Sequence, residues 1–240
     1  MVLAVIPARY ASTRFPGKPL VDIQGTSMIM RVYKQCLLAK KVNEVVVATD
    51  DQRILDHVQQ AGGKAVMTRA DHQSGTDRCA EVALQFPNAR YVLNVQGDEP
   101  FIQPEQIDLL VETLVNSAHP IATLGKAIEA EEQLFNPNVV KLVRAQDGTA
   151  LYFSRNPIPY LRGTDQEAWL TQGVHIKHIG LYGFQSEILH ILANLAPAPL
   201  EQHESLEQLR WLSNGYRIQV GITELETYGV DVPEDLERFS

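Results

Sequence analysis

The chain has 240 residues, 45% of them apolar and 21% charged, with a net charge of −8. That length buries one substantial core and suits a single large α/β domain, the acidic balance argues against a broad nucleic-acid surface, and no apolar run approaches a membrane span. The cysteines, Cys36 and Cys79, are too few for a metal framework and read as a reduced cytoplasmic pair. The N-terminus enters a strand directly, without the charged start and cleavage site of a signal peptide, so a cytoplasmic protein is expected.

The apolar run at 2–6 predicts a buried first strand. It breaks at Pro7 into a loop punctuated by Pro16, Gly17 and Pro19, which carries Arg9, Arg14 and Lys18 and meets nothing acidic before Asp22. A loop after a first buried strand lies at the carboxyl end of the sheet, where open α/β folds bind ligands. Guanidinium forks and a lysine point charge there suit a triphosphate; a solvated basic loop is the plainer alternative. Neither G-x-x-x-x-G-K-[ST] nor G-x-G-x-x-G follows the strand, which argues against a P-loop ATPase and a dehydrogenase-type dinucleotide fold.

Helical spacing of Ile29, Val32, Tyr33, Cys36 and Leu37 predicts a helix over 27–41. Strands are expected at 45–48 and 65–67, with a helix over 52–61 between them, capped by Asp51 and stopped at Gly62-Gly63. This is the βαβ rhythm of a parallel sheet. Ser74-Gly75 forms a turn, and a helix follows from Thr76 or Asp77 to Leu84; its free amides suit a nucleotide, though an ordinary capped helix start reads the same. The apolar strand at 91–95 runs into Gln96-Gly97-Asp98-Glu99-Pro100. A carboxylate past the end of a buried strand suits Mg²⁺, which takes one or two carboxylates plus substrate phosphates, so Asp98 is a candidate metal ligand, with a turn cap as the alternative.

An amphipathic helix over 104–116 and a strand at 121–124 come next. Segments 139–143 and 150–153 flank Asp147-Gly148 as an antiparallel hairpin. Residues 162–173 give little pattern and read as a loop. In the strand at 178–184, period two places His178, Gly180 and Tyr182 on one face, with a gap at the glycine for a ligand. His175 and His178 lack the cysteine or carboxylate that would complete a zinc set. Helices are expected at 186–195 and 200–214, the latter placing Glu204, Glu207 and Gln208 together on a face that reads as solvated. A last strand spans 217–222, and Asp231 stands where it caps a terminal helix.

The run Pro7-Ala8-Arg9-Tyr10-Ala11-Ser12-Thr13-Arg14-Phe15-Pro16-Gly17-Lys18-Pro19-Leu20 resembles the signature of enzymes that activate a sugar with a nucleoside triphosphate. With Tyr10 and Phe15, the QGDEP run, Ser154-Arg155-Asn156-Pro157-Ile158-Pro159, the LEQLR run at 206–210 and Gly229-Val230-Asp231, the chain closely resembles the CMP-Kdo synthetase family, the 3-deoxy-manno-octulosonate cytidylyltransferases. The resemblance implies a three-layer α/β/α nucleotidyltransferase fold, Rossmann-like, with a mostly parallel sheet and an antiparallel insertion. It implies one domain over 1–240, in which 1–128 and 196–240 form the nucleotide-binding core and 129–195 a sugar-binding and dimerisation lobe.

It also implies transfer from CTP to Kdo, an eight-carbon acidic sugar of lipopolysaccharide, giving CMP-Kdo and pyrophosphate. Ala8, Arg9, Arg14, Lys18, Ser74, Gly75, Arg78 and Gln96 are then the nucleotide-binding positions. Lys18, Asp98 and Asp231 carry the chemistry, the two aspartates through Mg²⁺. Arg155, His178, Tyr182, Glu207 and Gln208 are the sugar-binding candidates, with Arg155 the natural partner of the sugar carboxylate. A homodimer joined through 130–190 is expected. Alternatives are a cytidylyltransferase for 8-amino-Kdo or sialic acid, a sugar-phosphate nucleotidyltransferase, and a non-enzymatic nucleotide-binding module, which the intact Lys18, Asp98 and Asp231 oppose.

Overall fold

The structure is a computed structural model that describes residues 1–11, 15–230 and 232–239. The first apolar run forms β1 (Val2–Ala8). A small hairpin, β2 (Asp22–Ile23) and β3 (Thr26–Ser27), leads into α1 (Met28–Leu38). Then come β4 (Glu44–Thr49), α2 (Gln52–Gln60), β5 (Ala65–Met67), α3 (Gly75–Ala83), β6 (Tyr91–Asn94), α4 (Pro104–Val115) and β7 (Ile121–Ala127). Local chemistry sets these starts: Asp51 Oδ1 accepts the Arg53 amide at 3.0 Å to open α2, and Pro104 supplies the fixed φ of the first turn of α4.

The second half holds α5 (Glu131–Phe135), β8 (Lys141–Arg144), β9 (Ala150–Ser154), β10 (Ile176–Gln185), α6 (Ser186–Ala193), α7 (Pro199–Glu204), α8 (Gln208–Ser213) and β11 (Ile218–Ile222). The main sheet runs β11-β7-β10-β6-β1-β4-β5, with β8 and β9 appended through β10. Every ladder along that path is parallel except the two made by β10, which is antiparallel to both β6 and β7. One face buries Ile29, Val32, Ile54, Ile107 and Leu110 from α1, α2 and α4. The other buries Cys79, Val82, Leu189, Leu209 and Trp211 from α3, α6 and α8. These are the three layers.

Residues 129–195 contribute β10 to the middle of the main sheet. Two expectations change. The helix expected over 200–214 is two short helices, broken where Ser205 takes a left-handed conformation (φ 51°); Glu204, Glu207 and Gln208 therefore do not share a helical face. Residues 162–173 are not featureless: two 3₁₀ turns, Gln166–Ala168 and Leu170–Gln172, bury Trp169 against Ile128 and Leu134.

Candidate functional site

Three loops meet at the carboxyl ends of β1, β4 and β6. They approach closely: a Cβ at Gly97 would stand 2.9 Å from the Pro7 carbonyl oxygen, so this turn has no room for a side chain. Lys18 opens a 3₁₀ turn, Lys18–Leu20, after Gly17 at φ 74°. Its Nζ donates to Asp98 Oδ2 at 2.8 Å. The lysine side chain is 11% exposed and the aspartate 41%, so the pair is anchored on one side and open on the other. Asp98 fits a hard cation, since its carboxylate is 41% exposed and takes Lys18 through Oδ2. No group of three His, Cys, Asp or Glu converges among the described residues, and Mg²⁺ does not require one when phosphates complete its shell.

Arg14 and Asp231 lie outside the described residues. The residue before Asp231 is placed: the Val230 amide donates to the Asp98 carbonyl at 2.9 Å. Val230 packs with Ile23, Met28, Phe15 and Phe101, one apolar cluster that joins the basic loop, the QGDEP turn and the C-terminal segment. Ala8 is buried at the end of β1, opposite Thr49 in the ladder. Arg9 is exposed and its Nη2 donates to the His72 carbonyl.

Ser74 caps α3. Its Oγ accepts the Asp77 amide at 3.1 Å, and Asp77 Oδ2 accepts the Ser74 amide at 3.0 Å. Gly75 stands against Pro7 and Asn94. Arg78 does not reach the cleft. It is fully buried, and its guanidinium donates to Asp50 Oδ2 at 3.0 Å and to Thr68 Oγ1, fastening α3 to the ends of β4 and β5. Gln96 is partly exposed, and the QGDEP turn packs on β10: a Cβ at Gly180 would stand 3.7 Å from Glu99 Oε1 and 4.0 Å from Gln96 Cγ.

His178 and Tyr182 come together on β10, although the ladder to β7 is interrupted between Ile179 and Tyr182. The His178 and Tyr182 rings lie 5.2 Å apart, with Phe153 edge-on to His178 at 5.1 Å and Trp211 edge-on to Tyr182 at 5.0 Å. Tyr182 sits opposite Asn94 of β6. The break at Ser205 brings Glu207 to the start of α3, where Thr76 Oγ1 donates to its Oε2 at 2.8 Å. Burial pushes the Glu207 carboxyl up, against the opposing pull of the Thr76 and Ser74 hydroxyls. Its Oε1, and Asn94 Oδ1, Tyr182 Oη, Gln208 Nε2 and Trp211 Nε1, are buried without a hydrogen-bond partner among the described residues. Such atoms are costly, and a mixed set of donors and acceptors is what a polyhydroxylated ligand satisfies.

Arg155 is placed otherwise than expected. Its guanidinium is spent on backbone carbonyls, those of Glu204 at 2.6 Å, Pro137 at 3.0 Å and Ser205 at 3.4 Å. It clamps the end of β9 to the α7–α8 junction and positions the segment that carries Glu207 and Gln208. His178 offers no cation either: burial pushes its pKa down to about 3.

A family model described as Cytidylyltransferase matches residues 3–218. The 3-deoxy-manno-octulosonate cytidylyltransferase of Cytophaga hutchinsonii is 52% identical over 100% of this chain and 96% of its own. That of Parabacteroides distasonis is 50% identical over 98% of this chain and 95% of its own. The chain belongs to the 3-deoxy-manno-octulosonate cytidylyltransferase family. A solved structure of CMP:2-keto-3-deoxy-manno-octonic acid synthetase complexed with CTP matches at a TM-score of 0.91 and 44% identity, covering 99% of this chain and 95% of that one.

Beside the predicted residues the structure places Thr76, Asn94, Thr123 and Trp211, which the sequence patterns did not single out as site residues, and Glu204, which they put on a solvated face. Asn94 carried a signal, a polar side chain inside the apolar run Tyr91-Val92-Leu93-Asn94-Val95. Glu204 accepts Ser154 Oγ at 2.7 Å and the Arg155 amide at 3.0 Å, a pairing across 50 residues that no local pattern announces.

Proposed function

We propose that the chain transfers the cytidylyl group of CTP to 3-deoxy-D-manno-octulosonate, forming CMP-Kdo and releasing pyrophosphate. The observation that carries this is two groups joined by the packing of the QGDEP turn on β10: the Lys18–Asp98 pair at that turn, and the buried Tyr182, Glu207 and Gln208 atoms that have no partner among the described residues. The anomeric oxygen of the sugar attacks the α-phosphorus, and the bond from that phosphorus to the oxygen bridging to the β-phosphate breaks. Arg9 and Arg14 hold the triphosphate, and Lys18 offsets charge at the α-phosphate, where it matters most during transfer. Ala8, Ser74, Gly75 and Gln96 border the nucleotide, while Arg78 fixes α3 from behind. Asp98 and Asp231 would hold Mg²⁺, which would neutralise phosphate charge and lower the pKa of the attacking hydroxyl. Tyr182, Glu207, Gln208 and His178 take the sugar.

The same reading makes the chain a cytoplasmic homodimer joined through 130–190. No helix among the described residues is long and apolar enough to cross a membrane. Leu151 and Tyr160, 61% and 72% exposed, stand on that region and support a second copy as its cover. The test is pyrophosphate release from CTP and Mg²⁺ over Kdo, 8-amino-Kdo, sialic acid and a sugar 1-phosphate. Kdo should give the highest kcat/KM; preference for the sugar 1-phosphate would overturn the assignment.

A further inference from the structure

β10 carries an irregularity where it matters most. Opposite the consecutive residues Leu124 and Thr123 of β7, it places Ile179 and then Tyr182, so Gly180 and Leu181 bulge out of the ladder. A bulge leaves carbonyls without their ladder partners. Thr123, fully buried, fills this one with its hydroxyl: Oγ1 lies 2.8 Å from the Leu181 carbonyl oxygen and 3.2 Å from that of Ile179. The same Oγ1 lies 2.9 Å from His178 Nε2.

A hydroxyl has one proton to give and lone pairs to receive with. Carbonyl oxygens only accept, so the Thr123 proton points at the bulge. Were it instead given to the ring, the Thr123 oxygen would face two carbonyl oxygens with no hydrogen between them. His178 Nε2 must therefore be the donor to Thr123. We infer that Thr123 is a positioning residue, whose hydroxyl fixes His178 as its Nε2–H tautomer and presents Nδ1 as an acceptor for a hydroxyl of the sugar.

Three observations fit this assignment. Nδ1 makes no hydrogen bond to any described residue, yet it is absent from the sealed, unpartnered atoms around it, and His178 keeps some accessible surface. The ring is held from both sides, by Phe153 and Tyr182, and its own amide donates to the Val140 carbonyl at 2.8 Å, so Nδ1 has a fixed direction. Burial keeps the ring uncharged at neutral pH, so one nitrogen must accept. An acceptor there repels carboxylate oxygens and welcomes a hydroxyl, which orients an acidic sugar as well as binding it.

The inference rests on the sugar lying on this face, and the test separates the two claims. In the complete enzyme labelled with ¹⁵N-histidine and free of sugar, with His178→Asn giving the assignment, long-range ¹H–¹⁵N spectra at neutral pH should show His178 protonated at Nε2 and bare at Nδ1. A ring protonated at Nδ1 overturns the inference, whatever the substrate proves to be. Thr123→Val should lose the single tautomer and raise KM for Kdo about tenfold, the size of one hydrogen bond, with KM for CTP changed less than about twofold. Thr123→Ser, which restores the hydroxyl, should restore both. Should Thr123→Val fail to fold, the spectra of the wild type and Thr123→Ser still decide the tautomer. A changed tautomer with KM for Kdo unmoved would overturn the link to the sugar, and loss of Kdo turnover in the wild type would strike only the underlying assignment.

Discussion

Lys18 and Asp98 lend each other charge at 2.8 Å, yet their burial differs, and so should the consequences of removing them. Lys18→Ala is expected to lower kcat more than it raises KM for CTP, because its charge counts most when the α-phosphate is in transit. Asp98→Asn should keep the fold and lose at least about two orders of magnitude of Mg²⁺-dependent turnover, given what metal ions supply. Steady-state kinetics with CTP and Mg²⁺ varied in turn checks both; near-normal turnover of Asp98→Asn would remove that residue from the chemistry. His178 makes a prediction in pH. The unfolded chain protonates it near its ordinary 6.5, the folded chain only near 3. Between those values the unfolded state binds the extra proton, so stability falls as pH drops through that window, by up to about 1.4 kcal/mol per unit. The urea midpoint of His178→Gln should lose that part of the slope; parallel wild-type and variant curves would show a ring that charges freely in the fold.

At the scale of elements, the α7–α8 break does more than turn the chain. A straight helix would have carried Glu207 away from Thr76, whereas the left-handed turn at Ser205 delivers it there. Ser205→Gly should therefore leave stability and KM for Kdo intact or slightly improved, while Ser205→Val should cost about 1–2 kcal/mol and raise KM for Kdo, as thermal melts and kinetics would register. Lys141 supports the same corner from the hairpin. Fully buried, its Nζ donates to the carbonyls of Asn136, Val139 and Arg155, each at 2.8 Å. Lys141→Met would strand three acceptors at once and should cost at least about 2 kcal/mol, read from the urea midpoint.

These elements also mark what was legible in the sequence. The caps of α2 and α3, the Asp147-Gly148 hairpin and the alternating face of β10 are local, so the pattern within a few residues sufficed. Ser205 offered no Gly or Asn to announce a left-handed residue, so the helix ran on in the reading. Arg155 read as a ligand for the sugar carboxylate because charge is visible in sequence, while the three carbonyls that absorb it come from chain positions 137, 204 and 205. Glu207 read as solvated for the same reason: what buries it lies in α3.

Across the whole molecule, the sheet consists of two parallel blocks, β6-β1-β4-β5 and β11-β7, with β10 as the strand between them. The nucleotide loops belong to the first block and the C-terminal segment that meets Asp98 follows the second. Neither block closes the core alone. A fragment of residues 1–128 should thus lack a cooperative urea transition, although it contains every residue of the basic loop and the QGDEP turn; a sharp two-state melt of that fragment would contradict this. In the proposed dimer, Leu151→Glu together with Tyr160→Glu should yield monomers by analytical ultracentrifugation.

The placement of β10 also has a consequence for how the enzyme is made. Translation delivers β1, β4, β5 and β6 first, then β7, and for about fifty more residues there is nothing to lay between β6 and β7. Through that interval the edge of β6 and both edges of β7 are bare, the kind of surface that seeks other chains. The strand that covers the β6 edge and one edge of β7 is the one bearing His178 and Tyr182. Joining the two parallel blocks and bringing His178 and Tyr182 beside the nucleotide loops are therefore one event on the ribosome, and a chain terminated before residue 176 would carry those loops with neither ring.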